Sequence, residues 1–217
     1  DIRNAGKHHR FTVSGKLVHN CGYGGSVGAL KAFGALESGM KEEELKPLVD
    51  AWRAANLSIV DFWWAVDRAA KDCIKERSTK ITHGIRFIYQ GSMMFIELPS
   101  GRRLSYVKPR IGENRFGGES ITYMGLDLSK KWARIESYGP KLVENITQAI
   151  SRDILCYAMQ TLRTMDIVAH VHDELIIECD EQVSLPVICE QMARTPPWAE
   201  GLLLRADGFE CQFYQKN

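Results

Sequence analysis

The stretch that most constrains this chain is Asp166–Asp180, DIVAHVHDELIIECD, in which two runs rich in Ile, Val and Leu flank His172 and Asp173. β-Favouring runs on either side of two polar residues predict a β-hairpin with a tight turn. The turn would present an imidazole and a carboxylate, with Glu174 beside them. A carboxylate on a rigid turn is what a Mg²⁺ site for phosphoryl transfer requires, because Mg²⁺ takes oxygen ligands and is usually held by one or two carboxylates plus substrate phosphates. An ordinary surface turn leaves the same triplet, so these three residues alone do not decide between the two.

The longer string VAHVHDELIIE resembles motif C of the family A DNA polymerases, where Val-His-Asp-Glu lies between two apolar strands. The resemblance implies that Asp173 binds catalytic metal, that Glu174 assists nearby, and that His172 lies close to the primer terminus. It also calls for a second aspartate from an earlier motif, which has no counterpart here.

Composition fits one substantial core or two small ones: 217 residues, 45% of them hydrophobic. A net charge of +1 gives no global attraction to nucleic acid, so any such contact must come from local patches. Lys71, Lys75, Arg77 and Lys80 form one candidate patch, and Arg102, Arg103, Lys108 and Arg110 another. Each reads equally well as a solvated face. Six scattered cysteines with no Cys-x-x-Cys pair point to a reducing compartment and no structural zinc. No apolar run approaches the roughly 18 residues of a membrane span, and no signal-peptide core is present, so a soluble cytoplasmic protein is expected.

The first twenty residues have a different character. Arg10–Asn20, RFTVSGKLVHN, predicts two short strands joined through Ser14-Gly15 and ends in His19-Asn20-Cys21. An Asn amide can attack its own carbonyl, a neighbouring His can move the proton, and a Cys thiol is a ready nucleophile. HHRFTVSGKLVHN followed by Cys resembles the C-terminal end of an intein. By that resemblance Cys21 accepts the upstream extein, Asn20 cyclises to release the intein and His19 assists; His9, or His8 beside it, matches the histidine of the preceding intein block. The rest of the intein is absent, so splicing needs a second part, and the gene is split or the sequence is a fragment.

Directly after the junction, CGYGGSVGALKAFGA has glycines at 22, 24, 25 and 28 whose spacing fits neither the Walker A loop nor the dinucleotide fingerprint. A glycine-rich helix start packing closely against its neighbours is one reading. The other is the end of motif B of family A polymerases in its phage-type Tyr-Gly-Gly form. That resemblance puts Tyr23 beside the nascent base pair and has Gly24 turn the chain. The family's triphosphate-binding Lys and Arg would then fall on an upstream extein.

Farther on, Lys41–Asn56 predicts a helix with an acidic opening, and Ser58 with Asp61 predicts a capping box for a second, whose apolar positions are Ile59, Phe62, Trp63, Val66, Ala70 and Cys73. Ile85–Leu98 and Arg102–Val107 predict a hairpin through Pro99-Ser100-Gly101, and Ile111–Gly118 a loop in which Arg115 could touch phosphate. Tyr138–Met159 has the apolar face of a buried helix, at Leu142, Val143, Ile146, Ala149, Ile150 and Ile154, with Asn145, Gln148 and Arg152 on the other side. An unrelated amphipathic helix would look the same. The family resemblance implies that Gln148, Asn145, Lys141 and Arg152 contact primer-template DNA, with Asp153 following. Glu181–Arg194 predicts a last helix and Leu202–Tyr214 short closing strands.

The expectation is an α+β chain: residues 1–20 an intein segment with a β-hairpin, 21–83 helical fingers, and 84–217 an antiparallel palm sheet with motif C. The expected function is template-directed nucleotidyl transfer with two Mg²⁺ ions, acting on primer-template DNA and dNTPs in a phage-infected or prophage-bearing bacterium. The chain would be joined by splicing to an N-terminal part and inactive without it. A non-catalytic DNA-binding remnant and a metal-dependent nuclease are the alternatives.

Overall fold

The computed structural model describes residues 11–13, 16–18, 21–114, 116–127 and 129–215, with the backbone only for 11–13, 16–18 and 21. At the N-terminus β1 (Phe11–Val13) pairs antiparallel with β2 (Lys16–Val18), as the alternating sequence predicts. From residue 21 the chain is α+β, with five helices and a six-stranded antiparallel sheet. It divides into two compact units: residues 1–96 with 103–145, and 97–102 with 146–217.

The first unit is built on helices α1 (Val27–Ala32), α2 (Glu42–Ala55) and α3 (Leu57–Glu76) and on the sheet. Glu42, Glu43 and Glu44 open α2 where its dipole favours negative charge, and Glu44 accepts a hydrogen bond from the Lys41 N–H at 3.0 Å. α3 begins one residue before Ser58, with Asn56 as its N-cap, so the expected capping box is not used. Asn56 instead donates its side-chain amide to the Trp52 carbonyl at 2.7 Å. Trp63, Val66, Ala70, Cys73 and Ile74 are buried along one stripe of α3, and Trp63 stacks on Trp52 at 6.1 Å.

The sheet is a meander of β3 (Lys80–Thr82), β4 (Ile85–Gln90), β5 (Met93–Glu97), β6 (Arg103–Glu113), β7 (Glu119–Leu126) and β8 (Trp132–Ser137). The apolar run expected as one strand over 85–98 is two strands, because Gly91, at φ +63°, turns the chain between them. β6 continues through Ile111–Glu113, shortening the expected loop. β7 and β8 have no counterpart in the sequence reading. Ile85, Phe87, Met94, Ile96, Tyr106 and Ile121 are buried on the inner face, which α3 covers from β3 to β6.

α4 (Gly139–Thr161) contributes its first turns to the first unit and the remainder to the second. Its start is fixed by Asp67 of α3, buried and accepting from the Gly139 N–H at 2.9 Å while paired with Lys71 at 2.6 Å. A Cβ at Gly139 would lie 2.3 Å from the Trp63 carbonyl oxygen, so glycine permits the close approach.

The second unit has Ala149, Leu155 and Ala158 of α4 and Leu162 just after it at its core, with the hairpin β9 (Asp166–Val171) and β10 (Glu174–Glu178) and helix α5 (Leu185–Met192). α5 is shorter than the expected Glu181–Arg194, and 202–214 contains no strand; Asp207-Gly208 lies in irregular chain. The hairpin forms its own two-stranded sheet, so the motif C-like segment and the long antiparallel sheet are not the single sheet expected. Residues 84–96 and 103–145 group with the helices before them in the first unit.

Candidate functional site

Two places hold the residues that the sequence singled out, one in each unit. In the first unit Cys21–Tyr23 forms a single 3₁₀ turn rather than the end of a continuous helix. The indole of Trp63 donates to the Gly22 carbonyl at 2.9 Å, and the Arg53 guanidinium, 5.9 Å from the centre of that indole ring, donates to the Gly25 carbonyl at 3.4 Å. Gly24 has φ +78°, and a Cβ there would come within 2.6 Å of the Pro140 side chain. Glycine is required here for both its conformation and its lack of volume. The short segment is therefore held from three sides, and Tyr23 is carried between two fixed carbonyls. Burial first, and then the negative charge of Glu144, raises the Tyr23 phenol above its ordinary value, so it is a neutral hydrogen-bonding group at physiological pH.

His19 and Asn20, with His8 and His9, lie outside the described residues, as does Arg115. Of Cys21 only the backbone position is described.

In the second unit the hairpin turn is as expected. Val171 pairs with Glu174, leaving His172 and Asp173 as a two-residue loop. His172 adopts φ +53°, a left-handed conformation that costs a non-glycine residue about 1–2 kcal/mol. A bulge between Ile176 and Ile177 leaves Val168 opposite no partner and increases the local twist. His172 and Asp173 are exposed and Glu174 is half-buried. Strain kept at an exposed carboxylate-bearing tip is a reason to look for function there.

On α4, Arg152 faces His170 of β9, its guanidinium nitrogens 3.2 and 3.3 Å from the two ring nitrogens. Asp153 is engaged otherwise: its carboxylate accepts from the Ser100 hydroxyl and from Arg102 Nε, both at 2.5 Å, while Arg102 also donates to the Ala149 carbonyl at 2.7 Å. That clasp ties the 97–102 turn to α4 within the second unit. Gln148 is exposed on the same helix. Asn145 belongs to the first unit, where its amide donates to the Tyr106 hydroxyl at 3.0 Å, and Lys141 is half-buried near the start of α4.

Comparison with known proteins gives one informative likeness. No protein-family model matches the chain, and no solved structure does. The chain is 45% identical over 201 residues to a protein named DNA polymerase from Bacillus phage SP02. The match covers 90% of this chain and 31% of that protein, so the chain spans about a third of the relative's length. No helix among the described residues is long and apolar enough to cross a membrane.

The donor chemistry at the turn suits Mg²⁺ in kind but not in number. Asp173 and Glu174 offer the oxygen ligands a hard cation takes, but no group of three His, Cys, Asp or Glu able to hold a metal occurs among the described residues. They make part of a site at most. The basic patches are also less open than the sequence implies. Lys75 pairs with Glu119 at 2.7 Å, Lys80 with Glu76, and Arg102 with Asp153, while Arg77 lies 5.9 Å from the centre of the Tyr89 ring. Sequence reasoning missed Trp63, Arg53 and Pro140 as supports of the Tyr23 segment. Their partners are dozens of residues away along the chain, and no local pattern marks such a contact.

Proposed function

We propose that this chain is the C-terminal fingers-and-palm portion of a phage-type family A DNA polymerase, preceded by the last twenty residues of an intein, and that it acts after splicing to an upstream part. The observation that carries the reading is the two-residue turn His172-Asp173, with Glu174 beside it, in a chain that is 45% identical to a phage DNA polymerase.

In this reading Asp173 holds Mg²⁺ together with an aspartate from the upstream part, and Glu174 supports it. Bound Mg²⁺ neutralises phosphate charge and favours ionisation of the primer 3′-hydroxyl. This chain's own contributions are positional. Tyr23 lies at the nascent base pair, held by Trp63, Arg53 and Pro140. Gln148, Lys141 and Arg152 contact primer-template DNA, and His172 lies near the primer end. Asn145 acts on DNA only if it exchanges its bond to Tyr106.

The test is primer extension by the spliced enzyme, with and without Asp173→Asn. Loss of at least about a hundredfold in rate with DNA binding retained is expected; an unchanged rate would discard the reading. The chain alone should extend no primer at any Mg²⁺ concentration. Splicing is tested separately, by mass spectrometry of the peptide containing Cys21-Gly22-Tyr23. A residue other than Asn20 before Cys21 supports it, and Asn20 before Cys21 in all material argues against it.

A further inference from the structure

The six-stranded sheet has two faces, and α3 covers the inner one. Strand pairing assigns the outer one residue by residue: Ile81 opposite Arg86, Arg110 opposite Thr122, Met124 opposite Arg134, and Leu126 opposite Trp132. Phe95 belongs there as well, because its neighbours Met94 and Ile96 are buried inside and the Arg103 guanidinium lies 5.9 Å from the centre of its ring. Arg86, Arg103, Arg110 and Arg134 are exposed. Ile81, Leu126 and Trp132 are 68, 64 and 59% exposed, unusual for large apolar side chains on one face of a sheet. Glu136, opposite Thr122, and Glu97, two residues along β5 from Phe95, are carboxylates of this face, and Arg134 donates to the Thr122 hydroxyl at 3.0 Å and the Lys108 carbonyl at 3.3 Å.

Four exposed guanidinium groups beside the exposed Trp132, Leu126 and Ile81 and the half-buried Phe95 on an antiparallel sheet match a flexible polyanion with flat, stackable groups. Guanidinium forks pair with phosphates, aromatic rings stack on bases, and a sheet face leaves room for an extended strand. A duplex presents its bases edge-on in grooves and would leave Phe95 and Trp132 without a stacking partner. A protein partner would meet the apolar residues equally well, but four exposed guanidinium groups against the carboxylates Glu97 and Glu136 leave the face net positive, which favours a polyanion. We propose that the outer face of this sheet binds single-stranded DNA, with Arg86, Arg103, Arg110 and Arg134 on phosphates and Phe95 and Trp132 stacking on bases. The choice of DNA as the strand rests on the polymerase reading. The choice of a single strand rests on the face itself. With a chain charge of only +1, the attraction belongs to this patch and not to the molecule as a whole.

The test is fluorescence anisotropy of a labelled oligo-dT of about 16 nucleotides, titrated with the 217-residue chain. Binding should weaken steeply with salt, with a log–log slope of about −3 for four phosphate contacts. Trp132→Ala should weaken binding about tenfold, and Phe95→Ala by a similar factor. Arg86→Gln, Arg103→Gln, Arg110→Gln and Arg134→Gln together should remove most of the salt dependence. Arg194→Gln with Arg205→Gln, two exposed arginines of the second unit, should change little. Circular dichroism on each variant separates lost binding from lost fold. If the chain does not bind oligo-dT, if the four arginine substitutions leave binding unchanged, or if the control pair weakens it as much, the proposal is overturned. Duplex DNA bound more tightly than oligo-dT would overturn it too. Asp173→Asn should not alter this binding, so failure here and failure of the polymerase reading are separate outcomes.

Discussion

The two units bury their strands very differently. In the first, Ile85, Phe87, Met94, Ile96 and Ile121 are between 0 and 2% exposed beneath α3, so the sheet is anchored on a core. In the second, no residue of β9 or β10 is buried, and the unit's apolar core consists mainly of one face of α4. An isolated two-stranded hairpin is marginally stable in water, because it offers little apolar area to offset the entropy of ordering its backbone. The element with the most suggestive chemistry is thus the one with the least packing of its own. A hairpin of this kind suits completion by further strands, as the proposed palm requires.

Removing the anchor of the first unit is the largest perturbation. Trp63→Ala deletes a 1% exposed indole, its stack on Trp52 and its bond to Gly22, and should cost about 3–5 kcal/mol. Thermal unfolding together with amide exchange would show it as lost protection in β4 to β6. Equal loss in Trp63→Phe, which keeps most of the volume, would mean that the indole hydrogen bond outweighs the packing.

Gly139→Ala strikes the start of α4. Its new methyl group would collide with the backbone of α3, so about 2 kcal/mol or more of destabilisation is expected by chemical denaturation. A neutral result would show that the α3–α4 approach is looser than described.

Alkaline pH sharpens the same contrast. Burial pushes the Tyr106 phenol up to about 12 and the Cys73 thiol up to about 11. Each keeps its proton longer in the folded chain than in the unfolded one, where it is lost near its ordinary value. The stability they contribute is full below about pH 9 and is lost as pH rises to about 11–12, on the order of 5 kcal/mol in all. Denaturant midpoints between pH 8 and pH 11 should fall, and less so in Tyr106→Phe with Cys73→Ala.

The smallest effect tests the turn. His172→Gly removes the left-handed strain and should leave stability unchanged or raised by up to about 1 kcal/mol. If His172 lies near the primer end, the same change lowers extension by the spliced enzyme. Unaltered extension would make His172 a turn residue only.

Much of this was legible in the sequence, and the exceptions share a cause. Helices α2, α3 and α4 follow from apolar periodicity within a residue or two, and the hairpin tip follows from two β-rich runs around His172-Asp173. These signals are local: a stripe every three to four residues, or an alternation about a turn. The start of α3 at Leu57 rather than Ser58, and the split of 85–98 at Gly91, were misread because competing short signals lay side by side. β7 and β8 were not read from the sequence although Glu119–Ser137 carries Ile121, Tyr123, Met124, Leu126, Trp132 and Ile135; it is the pairing of these segments with each other and with β6 that makes them strands.

Taken by itself, the sequence singled out candidate residues, Asp173 and Glu174 between two β-rich runs, the Tyr23-Gly24 step and the His19-Asn20-Cys21 string, and predicted the hairpin that carries the first pair. Tertiary structure decided what surrounds them. It placed Trp63, Arg53 and Pro140 around Gly22–Gly25, engaged Asp153 with Arg102 and Asn145 with Tyr106, and gave the long sheet an inner face covered by α3. The physical reason is range. Turn chemistry and helix periodicity act within a few residues, whereas a buried carbonyl finds its donor, and a sheet its covering helix, only once distant segments meet.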